Sequence, residues 1–336
     1  MSTAKGKFSR YAILAFLFWG FLLGESYTIY LHFDPSSVPD TESYLKMAQM
    51  DFQVHQIHRY RPIVPLLAAA TALPIKMVYR KLWPHRPESD WPVRLAFMLV
   101  NSLIMALTAV MMLKIVEAYG GSTTVGFVVI LFLLCSRMAI YISGLPRVDS
   151  FYLLMICLFL LGLKTKNDAA IIIALLLGPL AKESFIFFIP LAYNRMLSQK
   201  LIIPLTLSAL LFMGTREIID LYGQTSQQQN VLAAFEHFKN IPYTFFRILS
   251  PRGIGEILSI FGILNLPLLL WALEYRQFKN SLDFHIHGVF IVVVIHIFLS
   301  GDVGRMLYLA APVVAVISTL AWEHSRYLAP LRKNFN

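Results

Sequence analysis

Two acids two residues apart, Asp40 and Glu42, stand in the stretch Pro39-Asp40-Thr41-Glu42-Ser43-Tyr44. Further along come Arg59 and Arg61 on either side of a tyrosine, Arg137 inside an apolar run, Arg147 and Asp149 after Pro146, the pair Lys182-Glu183, and Asp302 with Arg305 in Gly301-Asp302-Val303-Gly304-Arg305. Carboxylates can exchange protons with a reacting group, and arginine and lysine hold anions. Each residue also has a plainer use. Asp40 and Asp149 fit helix caps, and Glu42 fits a first helical turn, where it favours the dipole. Lys182 and Glu183 can neutralise each other, Arg305 can snorkel to an interface, and Arg137 either snorkels outward or faces a site. His55 and His58 lack a zinc spacing, and His285, His287 and His296 read as structural, so no protein metal ligands are expected. The chain has no glycine-rich nucleotide loop and no Gly-x-Ser-x-Gly elbow.

The elements that must position these residues follow from composition. Of 336 residues, 57% are hydrophobic and only 14% charged, with a mean hydropathy of +0.63. Soluble domains carry about 25% charged residues, so a water-soluble enzyme is excluded. The 25 Phe and 15 Tyr exclude a disordered chain, and two cysteines make no disulfide framework. The net charge of +10 belongs to membrane topology and anionic lipid rather than nucleic acid, since no basic run interleaved with aromatics lies on a hydrophilic segment. The fold class expected is all-α: one integral membrane domain over 1–336, a bundle of about ten spans. These are 11–31, 93–116, 123–143, 150–164, 168–182, 184–195, 201–214, 255–273, 284–300 and 306–323.

With both termini in the cytoplasm, Lys5, Lys7, Arg10, Lys164, Lys166 and Arg276, among others, fall inside, while short outer loops hold only Arg147, Lys182 and Arg305. That agrees with the excess of cations in cytoplasmic loops. Residues 62–78 are apolar enough to cross but carry Pro62, Pro65 and Pro74. Crossing would flip every later loop, so they are expected to lie on the outer interface. Residues 168–195 read as a hairpin of two short helices with Lys182-Glu183-Ser184 at its tip. Two outer loops are long, 32–92 and 215–254, and carry amphipathic stretches over Asp40–Phe52 and Val231–Arg247. This topology gathers Asp40, Glu42, Arg59, Arg61, Arg147, Asp149, Lys182, Glu183, Asp302 and Arg305 on the outer face. A charge-lined pocket there suits a reaction on a substrate with a lipid-bound anion.

An outer loop reading Pro39-Asp40-Thr41-Glu42-Ser43-Tyr44-Leu45-Lys46-Met47-Ala48, followed by Arg59-Tyr60-Arg61-Pro62-Ile63-Val64-Pro65-Leu66, resembles the GT-C class of membrane glycosyltransferases. Trp91-Pro92-Val93-Arg94-Leu95 is similar to the start of that class's second span. Gly144–Asp149, Ala181-Lys182-Glu183-Ser184 and Gly301–Arg305 are similar to its later outer loops. The resemblance implies sugar transfer from a polyprenyl-phosphate-linked donor to a glycan, lipid or protein acceptor at the periplasmic or lumenal face of the bilayer. Asp40 would be the general base, with Glu42 beside it. Arg305, Arg61 and Lys182 would stabilise the phosphate leaving group, with Arg59, Arg137, Arg147, Glu183 and Asp302 lining the substrate site. Asp149 would orient the acceptor or help hold a divalent cation, on which members of the class vary. Glu42 departs from the class, where the two acids are often adjacent, and the C-terminal soluble domain of oligosaccharyltransferases is not expected within these residues. The compact chain and short loops favour a bacterial inner membrane. The competing readings are a transporter or flippase for a lipid-linked or anionic substrate, and a non-catalytic scaffold subunit. Visible repeats, which transporters tend to show, are missing here.

Overall fold

A chain with this much apolar surface can satisfy its backbone in lipid only through helices or a closed barrel, and it takes the first route. The computed structural model describes residues 2–34, 38–86, 89–193, 198–223, 237–278 and 281–329. Helix accounts for 86% of the structure, with no strand among the described residues. The helices that matter for the site are α1 (Ser2–His32), α2 (Pro39–Ala48), α3 (Gln56–Arg59), α4 (Ile63–Leu82), α5 (Trp91–Ala118), α6 (Thr123–Leu134), α7 (Arg137–Gly144), α8 (Asp149–Thr165), α9 (Asp168–Ala181), α10 (Ile189–Tyr193) and α11 (Ser198–Gly223). They continue with α12 (Asn240–Leu249), α13 (Pro251–Phe261), α14 (Asn265–Leu273), α15 (Tyr275–Phe278), α16 (Phe284–Ser300), α17 (Val303–Tyr308) and α18 (Ala311–His324).

Five stretches are long and apolar enough to cross a membrane: Ser9–His32, Ile63–Leu82, Trp91–Ala118, Lys200–Gly223 and Pro251–Leu273. A sixth exists if α6 and α7, which meet at a 66° bend, count as one broken span. Five or six crossing-length stretches are fewer than the ten expected spans, several of which, the 168–195 hairpin among them, are short or interrupted. α9, the Glu183–Tyr193 segment and α16 fall in the 10–17-residue range. Residues 63–78, expected as a helix on the outer interface, belong to a continuous helix over Ile63–Leu82 that is of crossing length in spite of Pro74. Residues 215–223, read as loop, are the last turns of α11. Of the expected Val231–Arg247 stretch, 231–236 lie outside the described residues, and the remainder enters α12.

α5, α8 and α18 make the centre. Met105, Ala109, Met112 and Leu113 on α5, Tyr152, Ile156, Cys157 and Phe159 on α8, and Ala311, Ala315, Val316 and Leu320 on α18 belong to one contiguous buried cluster. The outer helices do the reverse, turning large apolar side chains outward: Phe16 on α1, Met77 on α4, Ile203 and Leu221 on α11, and Phe246 on α12. In water such a surface would associate; in a bilayer it faces its natural solvent. The polar exceptions collect at two ends. Asp149 opens α8 at one end. At the other, Lys164 pairs with Asp283 at 3.3 Å, the Tyr119 hydroxyl donates to Asp283 at 2.6 Å, and Arg10 pairs with Glu117.

α8 has 17 residues, which at 1.5 Å per residue spans roughly 25 Å, close to a hydrocarbon core. The exposed positions 42 and 166 should therefore lie on opposite faces of the membrane. In a background lacking Cys135 and Cys157, Glu42→Cys should react with an impermeant maleimide only from the face opposite to that which labels Lys166→Cys. Labelling of both from one side would contradict this arrangement.

Candidate functional site

Five separate pieces of chain converge at the Asp149 end. The first is α2, which begins at Val38 with proline at its start and carries both Asp40 and Glu42 in its first turn. Neither acid caps it, because no side chain accepts the end amides. The second is the end of α3 and the two residues after it, His58 to Arg61, whose four side chains divide by direction. Arg59 and Tyr60 reach back to α11, where the Tyr60 hydroxyl donates to both oxygens of Asp220 at 3.1 and 3.0 Å and Arg59 pairs with it at 3.4 Å. His58 and Arg61 point the other way, into the site.

The third piece is the link between α7 and α8. Ser136 caps α7 by accepting the Ala139 amide, which sets up the bend after α6. α7 then ends before Pro146, whose ring cannot continue a helix. The irregular backbone this creates is held by Asn101, buried in mid-α5. Its amide nitrogen donates to the Leu145 and Arg147 carbonyls at 2.8 and 3.0 Å, and its oxygen accepts from the Ser150 hydroxyl at 2.6 Å. Asp149 is the first helical residue of α8 rather than its cap, which is Val148. The fourth piece is the turn after α9. Lys182 is extended (φ −164°, ψ 130°) and a 3₁₀ turn follows over Glu183–Phe188. Phe185 packs directly on Gly178, where a Cβ would collide with its ring. The fifth is the loop between α16 and α17. Gly301 ends α16 in the left-handed region (φ +71°), and the Asp302 side chain caps α17 by accepting the Arg305 amide at 3.1 Å. The Glu256 carboxylate of α13 lies against Gly304.

Arg305 is where the pieces meet. Its Nη1 is 2.8 Å from Asp40 Oδ2 and 3.5 Å from Asp149 Oδ2, and its Nε is 3.0 Å from Asp302 Oδ2. Arg147 adds a second guanidinium 3.6 Å from the same Asp40 oxygen. It donates to the Tyr141 hydroxyl at 2.9 Å and lies over that ring at 4.7 Å. His58 Nε2 takes the other Asp40 oxygen at 3.0 Å. Burial alone would raise the Asp40 carboxyl, but the His58 hydrogen bond and the Arg305 charge outweigh it and hold the group well below the usual carboxylate range. Beside this core, Arg61 donates Nε and Nη2 to Glu183 Oε2 at 3.2 and 3.0 Å and approaches the Tyr44 hydroxyl at 3.4 Å. Lys182 sits 3.4 Å from the Met306 sulfur and 5.6 Å from the centre of the Tyr152 ring. Burial, only partly offset by Asp149, lowers the Lys182 ammonium to about 8.

Of the residues singled out in the sequence, Asp40, Arg61, Arg147, Asp149, Lys182, Glu183, Asp302 and Arg305 are brought together. Three are not. Glu42 is more than half exposed and pairs with Lys46 at 2.8 Å, because positions two apart on a helix face away from each other. Arg59 is turned to Asp220 on α11. Arg137 is exposed at the start of α7. His58 and Asn101 belong to the arrangement and were not anticipated. An amide inside the apolar run 93–116 and a histidine three residues before Arg61 were the available signals. The residues do not fit a divalent cation: Arg305 fills the approach between Asp40 and Asp149, and no group of three or more His, Cys, Asp or Glu is placed to hold a metal among the described residues.

Arg147 Nε and Nη1 are buried without a hydrogen-bond acceptor, and Lys182 has no carboxylate within ion-pair distance among the described residues. The site therefore has cationic donors to spare and an ionised carboxylate between them, an arrangement suited to receiving an anion next to a proton acceptor. Removing Arg305 would strand the buried Asp149 carboxylate and leave Asp40 with one guanidinium fewer. Arg305→Ala should cost about 3 kcal/mol of stability, whereas Arg137→Ala at its exposed position should stay within about 0.5 kcal/mol; unfolding in mixed micelles distinguishes the two. No protein-family model matches the chain, and no curated protein or solved structure is similar to it.

Proposed function

We propose that this protein is a membrane glycosyltransferase that moves a sugar from a polyprenyl-phosphate-linked donor to an acceptor hydroxyl at the outer face of the membrane, with a bacterial inner membrane as its setting. The observation that carries the reading is the Arg147 guanidinium, buried near Asp40 with two of its nitrogens lacking a hydrogen-bond acceptor. A donor phosphodiester reaching Arg147 and Lys182 would satisfy those groups, and both cations would stabilise the charge that grows on the phosphate as it leaves. The acceptor oxygen attacks the anomeric carbon, the bond from that carbon to the phosphate oxygen breaks with its electron pair leaving on the phosphate, and Asp40 takes the hydroxyl proton.

Asp40 as held by Arg305 and His58 is a weak base, so its task requires a change on binding. An incoming phosphate competes with Asp40 for Arg305 and Arg147. As either guanidinium turns toward the phosphate, the carboxylate becomes more basic at the moment its acceptor arrives. Arg61 is committed to Glu183 and Tyr44 and serves to fix the rim rather than to bind the anion.

Purified protein offered a panel of radiolabelled polyprenyl-phosphate sugars should transfer at least one, and Asp40→Asn should lower that rate by roughly 10²–10⁴-fold, the range of a general base. Failure of the wild type to transfer or to bind any of these donors would remove the proposal. The Lys182 ammonium loses its proton as pH rises through about 8, so the donor KM should climb above that pH. Lys182→Arg, which stays charged, should keep the donor KM flat to pH 10.

A further inference from the structure

His58 is the titratable group at the site that the mechanism above leaves without a task. Its ring bridges two positions one turn apart on α2. Nε2 lies 3.0 Å from Asp40 Oδ1 and Nδ1 lies 3.1 Å from the Ser43 hydroxyl. The side chain is only 12% exposed, with the Tyr44 ring tilted against it at 5.5 Å and the His55 ring at 5.6 Å. The turn that carries it is tied down from behind through Arg59 and Tyr60 to Asp220, and through Arg59 to the Val54 carbonyl at 3.0 Å. A carboxylate only accepts, so Nε2 carries the hydrogen in the contact with Asp40.

The two oxygens of Asp40 are thus divided. Oδ2 faces Arg305 and Arg147, and Oδ1 faces His58. The terminal torsion of an aspartate is broad and nearly two-fold, so its own covalent geometry does not decide which way the oxygens point. While the arginines hold Oδ2 the question does not arise. It arises once a phosphate draws them away, and the contact at Oδ1 is then what keeps the carboxylate aimed.

We propose, on the transferase reading above, that His58 is the positioning residue of Asp40. Its Nε2–H holds Oδ1, so that Oδ2 stays turned toward the acceptor hydroxyl after the guanidiniums have moved to the phosphate. The proton goes from the acceptor oxygen to Asp40 Oδ2 as the new glycosidic bond forms and the bond to phosphate breaks. His58 gains and loses nothing in that step. Ser43 keeps the ring in register by its contact at Nδ1.

The test uses the full-length protein and the donor that the wild type transfers. His58→Leu should lower kcat at least about 100-fold while the donor KM stays within threefold, since the phosphate site is untouched. His58→Gln, whose amide N–H reaches a similar place, should recover at least 10-fold of that loss. Should His58→Leu not fold, Ser43→Ala decides: a kcat about 10-fold down at unchanged KM supports the role, and an unchanged kcat overturns it. Wild-type kcat in His58→Leu, an equal loss in the leucine and glutamine variants, or an effect on KM alone would each overturn it as well. If the wild type transfers no sugar, the transferase reading falls and this role with it. If the wild type transfers and His58→Leu keeps pace, only the positioning role falls.

Discussion

One guanidinium shared by three carboxylates organises this molecule. Arg305 stands between Asp40 from the first loop, Asp149 from the start of α8 and Asp302 from its own turn. Asp149 and Arg305 are largely buried, and a buried charge is stabilised by its partner. The pairing therefore constrains α2, α8 and α17 to converge, and the devices around them read as consequences. Gly301 supplies the left-handed residue that turns the chain into α17, Asp302 caps that helix and clamps the arginine at once, and Gly304 leaves room for Glu256. On the proposed function, an entering anion would compete for this arginine and its neighbour Arg147, so that binding and proton acceptance would draw on the same contacts.

The price of such a site is paid in helix length. A helix in lipid satisfies its own backbone, and the chain could have built uniform spans from its apolar runs. Instead the helices next to the site are short or broken: α6 and α7 bend by 66°, α9 stops at Lys182, and α16 ends at Gly301. The breaks after α7, α9 and α16 each deliver charged side chains to the same end: Arg147 and Asp149, Lys182 and Glu183, and Asp302 and Arg305. The peripheral helices, which deliver none, keep full length and turn apolar side chains outward.

That division explains what could be read in advance. Membrane character and helical class follow from composition, and Asp40, Arg147, Asp149, Lys182 and Arg305 stood out because charge is costly among apolar runs. Side chains within one helix were harder. Asp40 and Glu42 look equivalent in a list of acids, yet the 3.6-residue period sends them in different directions, and the Lys46 partner of Glu42 was visible at four residues' distance. The same period separates His58 and Arg61 from Arg59. His58 was weighed only as a metal ligand, so its fitness to hold a carboxylate went unseen. The hairpin over 168–195 was legible because the polar Lys182-Glu183-Ser184 divides its apolar run, whereas the end of α11 past residue 214 was not, since apolarity alone does not say where a helix stops.

Asn101 touches no charged group of the site, yet it offers the least room for change. Its amide serves two carbonyls on either side of Pro146 and its oxygen serves Ser150. Aspartate keeps the acceptor and loses the donors; leucine keeps the volume and loses both; glutamine reaches a methylene too far in a packed helix. Each leaves buried backbone carbonyls without partners, a penalty of about 1–3 kcal/mol for each such group. Mutational intolerance in this protein would thus peak not only where a substrate is met but also one layer behind it, in the middle of a helix that would otherwise pass for featureless membrane filler.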